Sequence, residues 1–356
     1  MAKVKLNDVA IEARETWKQS KTDVPVVGLE HLEPDEIWLK RWDLNPDENT
    51  FTKGFKKGQL LFGRRRAYQK KMSVASCDGI CSGDITVIAA KPEKILPDLL
   101  PFYLRTDAFF DFAVRGSGGS LSPRVKWSHI SDYEFDLPPM EEQKKLAELL
   151  WAANDLKEKY KKAIIATDEM LKAKFREMFG ENCINVLLSE LVDIMDDKRK
   201  PLNEVERASM KDGQLYPYCG ANGVVDYINA YLTDEELLCI AEDCGSYGPG
   251  ENSSYIISGK CWVNNHAHVV KPKAGICEID FLHKYLEIVD LRPYISGTTR
   301  QKLTQAKMKE IVCIKPSLCD QRNFVAIAEK AEAAKTALKK SIADIDQVIK
   351  GLINNG

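Results

Sequence analysis

The stretch FTKGFKKGQLLFGRRRAYQKKMSVASC, residues 51–77, carries eight Lys or Arg and no Asp or Glu. Among its cations are Lys56, Lys57, Arg64, Arg65, Arg66, Lys70 and Lys71. A guanidinium is a planar fork that can make paired hydrogen bonds to phosphate oxygens or to a guanine edge, and an ammonium supplies point charge. Tyr68, in their midst, offers a ring to stack and a hydroxyl to bond a backbone. A run of like charge is often no more than a solvated face. The lack of any compensating acid over the run favours a surface for an anionic polymer.

A second loop, RGSGGSLSPR (Arg115–Arg124), sets Gly and Ser between arginines. SGTTRQK (Ser296–Lys302) is its counterpart later in the chain. Amides and hydroxyls on such loops, Ser117 included, can contact phosphates while Arg124, Arg300 and Lys302 add charge, although plain turns have the same composition. The later region also has YCGANG (Tyr218–Gly223), EDCGSYGPG (Glu242–Gly250) and VNNHAH (Val263–His268). Asn amides match the adenine edge, which makes Asn222, Asn264 and Asn265 candidates, with Tyr218, Ser246, Tyr247 and His266 on the same loops. A turn leading into a strand with a satisfied histidine would look the same.

Other chemistry is poorly supported. Cys261, His266, His268 and Cys277 come nearest to a metal cluster, but their spacing fits no zinc template. The ten cysteines form no dense framework and are expected as free thiols, several of them buried. The sequence has no G-x-x-x-x-G-K-[ST], no G-x-G-x-x-G after a strand, no H-E-x-x-H and no N-P-P-[FYW]. No nucleophile–base pair stands out, so no catalytic residue and no metal is expected.

The elements that carry these loops occur twice. VKLNDVA (Val4–Ala10) parallels VLLSELVDI (Val186–Ile194), and GQLLFG (Gly58–Gly63) parallels EELLCIA (Glu235–Ala241). ITVIAAKP (Ile85–Pro92) parallels AHVVKP (Ala267–Pro272), and the segment ending at Ile130 parallels GTTRQKLTQAKM (Gly297–Met308). DLPPMEEQKKLAELL, from Asp136, returns as CIKPSLCDQRNFVAI, from Cys313. Order and offset are nearly constant, as a tandem duplication requires. IWLKRWDL, QLLFG, DITVIAA and YEFDLP read as strands in the first copy, and ELLCIAED, SSYIISG, AHVVKP and EIVCIKP in the second. LLPFYLRTDAFFDF and FLHKYLEIVDL read as helical patches.

Each copy ends in a long helix that opens on prolines and acids. Its apolar stripe runs through Leu146, Leu149, Ala153, Leu156, Tyr160, Ile164, Thr167 and Leu171 in the first copy. In the second it runs through Phe324, Ile327, Ala331, Ala334, Leu338, Ile342, Ile345 and Ile349. The same alternation of three and four in both copies predicts a coiled-coil seam in which the two helices cover each other antiparallel. The length of 356 residues fits two domains, and 44% hydrophobic with 29% charged residues fits a soluble chain. No run of about 18 apolar residues and no signal-peptide core is present, so a cytoplasmic location and no membrane contact are expected. The net charge of −2 argues only weakly against nucleic acid, because charge is segregated along the chain.

Taken together, LPPMEEQKKLAELL, YPYCGANGVVDYI, GKCWVNNHAHVVKP and GTTRQKLTQAKMKEI resemble the specificity subunits of type I restriction–modification systems. KPSLCDQ departs from that family's Pro-Pro pair followed by Glu-Gln but keeps Pro316 and Gln321. The resemblance implies an α+β chain of two mixed α/β target-recognition domains, residues 1–137 and 181–315. Two long antiparallel coiled-coil spacer helices, 138–180 and 316–356, would join them as a pseudo-two-fold duplication. It implies a non-catalytic subunit that binds double-stranded DNA and docks two methyltransferase subunits, with restriction/translocase subunits completing the complex. S-adenosylmethionine, ATP and Mg would sit on those partners, and no cofactor on this chain. Because the helices match and the loops do not, the DNA target is expected to be bipartite and asymmetric. The alternative is a two-headed adaptor with a coiled-coil spacer and no DNA role.

Overall fold

The computed structural model describes residues 2–18, 22–44, 50–180, 183–243, 247–297 and 301–355. It divides into two compact units, Met1–Lys161 with Lys339–Gly356, and Lys162–Leu338. Each globular part is thus completed by pieces of both long helices.

In the first unit an antiparallel sheet has the order Ala10–Glu12, Ile85–Ala90, Leu60–Gly63, Met72–Val74. Beside it, Val26–Val27 pairs parallel with Gly79–Cys81, which pairs antiparallel with Lys53–Phe55. The second unit repeats the main sheet as Val192–Ile194, Ala267–Pro272, Leu237–Ala241, Ser254–Ile257. The register repeats as well: Leu60 faces Ile88 in one unit, and Leu238 faces Val270 in the other. Ala2–Lys5 pairs with Glu134–Leu137, and Asn185–Leu187 with Val312–Ile314. Both short strands lead into the same capping geometry, Lys5 N donating to Asp8 and Leu187 N to Glu190. The strand expected at IWLKRWDL is corrected: residues 37–44 bridge only at Trp38, to Val74, and at Asp43, to Val26. The helical patches fold as Leu100–Leu104 with Asp107–Arg115, and as Ile279–Ile288.

The long helices span Met140–Phe179 and Leu318–Asn355. In the first unit Lys157 Nζ donates to Asp346 Oδ1 at 2.6 Å, and Leu146 and Leu150 share a core with Ile349 and Ile353. In the second, Lys335 Nζ donates to Asp168 Oδ1 at 2.8 Å, and Phe324 meets Phe175 and Phe179 edge-on. Facing residue numbers fall on one helix as they rise on the other, so the helices are antiparallel within each unit. Lys157 and Lys335 occupy the same repeat position, as do Asp168 and Asp346. The same ion pair is therefore made twice, with the helices' roles exchanged.

The seam differs in detail from the stripe drawn on the sequence. Leu146 and Phe324 are buried, and Ile164, Leu171, Ile327, Leu338, Ile342 and Ile345 are half-buried. Leu149 and Leu156 are 55% and 41% exposed and are not seam residues. The covered face lies one position further on, at Gln143, Ala147, Leu150 and Asn154. A stripe with a 3.5-residue repeat drifts around a helix of 3.6 residues per turn. The face that wins is the one on which the first globular core also packs.

A buried glutamine fixes the start of each long helix to its globular part. Gln143 Oε1 accepts from Leu96 N at 2.9 Å while Nε2 donates to Lys94 O and Pro138 O. Gln321 Oε1 accepts from Glu278 N at 2.8 Å while Nε2 donates to Ile276 O and Pro316 O, both at 3.0 Å. One side chain thus satisfies three backbone groups that burial would otherwise orphan. No helix among the described residues is long and apolar enough to cross a membrane.

Candidate nucleic-acid interface

The strand Leu60–Gly63 runs out into Arg64–Arg66, where the loop Arg115–Arg124 meets it. Val125 N donates to Arg64 O at 2.9 Å, Arg66 N to Pro123 O at 2.8 Å, and Arg65 bridges Arg124. The second loop is closed by reciprocal backbone bonds between Gly118 and Arg124. Gly119 sits inside this turn at φ +107, a conformation side chains avoid. The two stretches singled out in the first copy therefore form one surface.

Asp84 ties that surface together. Arg124 grips it with two bonds, Nε to Oδ1 at 2.7 Å and Nη2 to Oδ2 at 3.2 Å, and Arg65 Nη1 lies 3.5 Å away. The Arg124 guanidinium holds the Asp84 carboxyl below the usual carboxylate range. Arg65 Nε also donates to Ser122 Oγ. Arg64 turns inward, its Nε buried without a hydrogen-bond partner. Ser117 Oγ is spent on Ala113 O at the end of a helix.

The acid-free run is not acid-free in space. Lys56 reaches Asp78 at 3.2 Å, Lys70 reaches Asp107 at 2.7 Å, and Lys71 Nζ donates to Leu29 O. The composition of the run does not register partners supplied from outside it. Among the described residues Lys57 and Arg66 have exposed side chains in no ion pair. Arg66 and Lys70, both at φ 54, bracket the turn Ala67–Gln69 and present Tyr68, which is 56% exposed. Left-handed backbone at two non-glycine residues costs roughly 1–3 kcal/mol each and tends to be kept at functional loops.

The second unit builds the same junction with other side chains. Leu303 N donates to Glu242 O at 2.7 Å, Asp243 bridges Lys302, and Ser296 bridges Lys302. Glu242 and Asp243 thus stand where Arg64 and Arg65 stand in the first unit. Lys302 Nζ reaches Glu242 Oε1 at 2.7 Å, Arg199 pairs with Glu242, and His266 Nδ1 lies 2.7 Å from Asp243 Oδ1. Buried His268 sits between Asp196, at 2.8 Å, and Leu303 O, at 2.9 Å. Burial pushes the carboxyls of Asp196 and Glu242 up, but hydrogen bonds from His268 and Gln305 to the first, and from Lys302 and Arg199 to the second, outweigh it and hold both low.

Three expected contact residues are corrected by burial. Tyr218 is enclosed, its hydroxyl accepting from Leu202 N at 3.0 Å. Tyr247 is enclosed, donating to Ala241 O. Asn264 is buried, and its Oδ1 caps His266 N at 2.8 Å. Their polar atoms hold the loops rather than face outward. Asn222 and Asn265 are exposed on adjoining turns. Ser246 and Arg300 lie outside the described residues. The sequence reading missed Asp84, Asp196 and Arg199, whose partners Arg124, His268 and Glu242 stand far from them in the chain. The metal grouping does not assemble, since Cys261 and Cys277 belong to different cores. Glu30, His31 and Asp43 bring ligand atoms within 4.8 Å of one another, but His31 Nδ1 already accepts Gly28 N–H at 2.9 Å. The neutral ring then carries its proton on Nε2, the nitrogen a metal would need.

This duplicated frame matches known proteins. Residues 1–166 and again 182–347 match the type I restriction modification DNA specificity domain. A Haemophilus influenzae protein that carries the name type I restriction enzyme specificity subunit S.HindORF215P is 36% identical over 146 residues, 41% of this chain and 36% of that protein. The Escherichia coli type I restriction enzyme EcoDI specificity subunit is 30% identical over 108 residues, 30% of this chain and 24% of that protein. The chain thus spans about a third or less of the length of these curated relatives. The crystal structure of a type I restriction–modification S subunit from M. genitalium superposes with a TM-score of 0.61 at 12% identity, covering 99% of this chain and 95% of that one. A chain from a structural study of type I R-M complex assembly gives 0.60 at 18% identity, covering 99% and 96%. These two likenesses concern the fold. With both halves matching one family description in tandem, the chain belongs to the family of type I restriction–modification DNA specificity domains.

Proposed function

We propose that the chain is the sequence-reading subunit of a type I restriction–modification complex, binding double-stranded DNA at an asymmetric two-part target. The observation that carries this reading is one backbone junction built twice with different side chains. It has Arg65 and Arg124 over Asp84 in the first unit, and Glu242 under Lys302 and Arg199 in the second. A shared scaffold with unlike loops fits two unlike half-sites, each read by its own unit. The paired helices, each beginning at the same glutamine anchor, suit two methyltransferase subunits docking in near-equivalent ways, with restriction/translocase subunits joining through them. The chain itself performs no catalysis, S-adenosylmethionine, ATP and Mg belong to the partners, and the complex works in the cytoplasm.

Selection of bound duplexes from a random pool, followed by titration at several salt concentrations, tests the proposal. The expected result is a non-palindromic sequence in two blocks, with affinity falling steeply as salt rises. A palindrome, or an unselected pool with salt-insensitive binding, refutes it.

A further inference from the structure

One element of the second unit takes a different form in the first. Tyr216–Gly220 pairs parallel with Lys260–Val263, as Val26–Val27 does with Gly79–Cys81. Among the described residues of the first unit that strand has one antiparallel bridge, Val26 to Asp43, whereas in the second it folds back, through Ala221 and Asn222, onto Gly223–Ile228. The resulting two-stranded ribbon is the edge of its sheet.

Its register contains a bulge. Tyr218 faces Asp226 and Cys219 faces Val224, so Val225 has no opposite residue. Regular alternation would turn one of two successive valines inward. The bulge turns both out, and Val224 and Val225 are 51% and 59% exposed. The arrangement is fitted to its neighbours: a Cβ on Gly220 would stand 3.0 Å from Val225 Cγ1 and 3.5 Å from Asn264 Nδ2. The ribbon tip is anchored beside the turn of Asn265 and His266, with Asn264 N donating to Cys219 O at 3.0 Å and Tyr255 Oη to Gly220 O at 2.5 Å. Asn222 and Asn265, both exposed, therefore share a surface with the two valines.

Methyl groups beside primary amides match one base pair. The amide can bond adenine N6 and N7, and the methyls can cover the C5-methyl of its thymine. A two-stranded ribbon is also of a width that the major groove accepts. Resting on the DNA reading above, we propose that the bulged hairpin Tyr216–Ile228 enters the major groove and selects an A·T pair, Val224 and Val225 covering the thymine methyl and Asn222 or Asn265 bonding the adenine.

The test uses the full chain and the duplex obtained by selection. Each thymine is replaced singly by deoxyuridine, which removes one methyl and leaves Watson–Crick pairing intact. At one position the wild-type chain should lose about fourfold in affinity, the worth of one buried methyl. In Val224→Ala or Val225→Ala the same replacement should cost less than twofold, and both variants should retain binding to the other half-site. Tolerance of every deoxyuridine by the wild-type chain, or a penalty unchanged in both variants, would overturn the inference and leave DNA recognition standing. Failure to enrich any sequence would overturn the DNA reading and this inference with it.

Discussion

Replacing Gln321 by Leu removes an anchor while keeping its volume. Three bonds are lost, Glu278 N to Oε1 at 2.8 Å and Nε2 to Ile276 O and Pro316 O at 3.0 Å each. At about 1 kcal/mol net per bond this is about 3 kcal/mol. Most of that cost is the desolvation of groups left without partners, the Glu278 N–H first among them. Leucine fills the site, so no cavity cost is added. About 3 kcal/mol corresponds to roughly a hundredfold in an opening equilibrium. Hydrogen exchange followed by peptide mass spectrometry reads this locally. The peptide containing Glu278 should lose about two orders of magnitude of protection. The peptide containing Leu96, held by Gln143 in the first unit, should not change. Gln143→Leu should give the mirror image. Equal loss in both peptides, or none in either, would show that these glutamines are not separate local anchors.

Arg66→Ala should weaken binding to all duplexes alike and lower the slope of log affinity against log salt by about one, as expected for a phosphate contact, without lowering stability. Asp84 titrates below its unfolded value of 3.8 because Arg124 grips it, so its stabilisation is complete above that pH and is lost as pH falls through the folded value. Acid unfolding of Asp84→Asn should therefore depend less on pH below about 4 than that of the wild type. Exchanging charges in Lys157→Asp with Asp346→Lys should restore most of what either change loses alone, with a coupling of about 0.5–1 kcal/mol in a double-mutant cycle. Burial pushes the thiols of Cys81 and Cys277 up to about 12, whereas Cys319 is exposed. Iodoacetamide at pH 8 should label Cys319 and spare the other two until the protein unfolds.

The duplication and most strands could be read from the sequence because both are local patterns. GQLLFG and EELLCIA fold as equivalent strands, and Pro316 with Gln321 marks the same anchor as Pro138 with Gln143. What escaped depends on three-dimensional neighbours. The eight cations of residues 51–77 look unopposed until Lys56 meets Asp78, Arg65 meets Asp84 and Lys70 meets Asp107. Leu149 and Leu156 satisfy a heptad as well as Leu150 and Asn154 do, and only the globular core decides which face is covered. Tyr218 and Asn264 have the right chemistry for a base edge, yet the backbone groups of Leu202 and His266 claim them first.

The glutamine anchors and the reciprocal lysine–aspartate pairs have a further consequence. Every bond in them ends on main-chain atoms or on the long helices, and none ends on the tip of a recognition loop. Loop sequence can therefore drift, lengthen or be exchanged wholesale without loosening the framework. A lineage carrying such a chain can remodel one globular unit at a time while both anchors and the paired helices stay as they are.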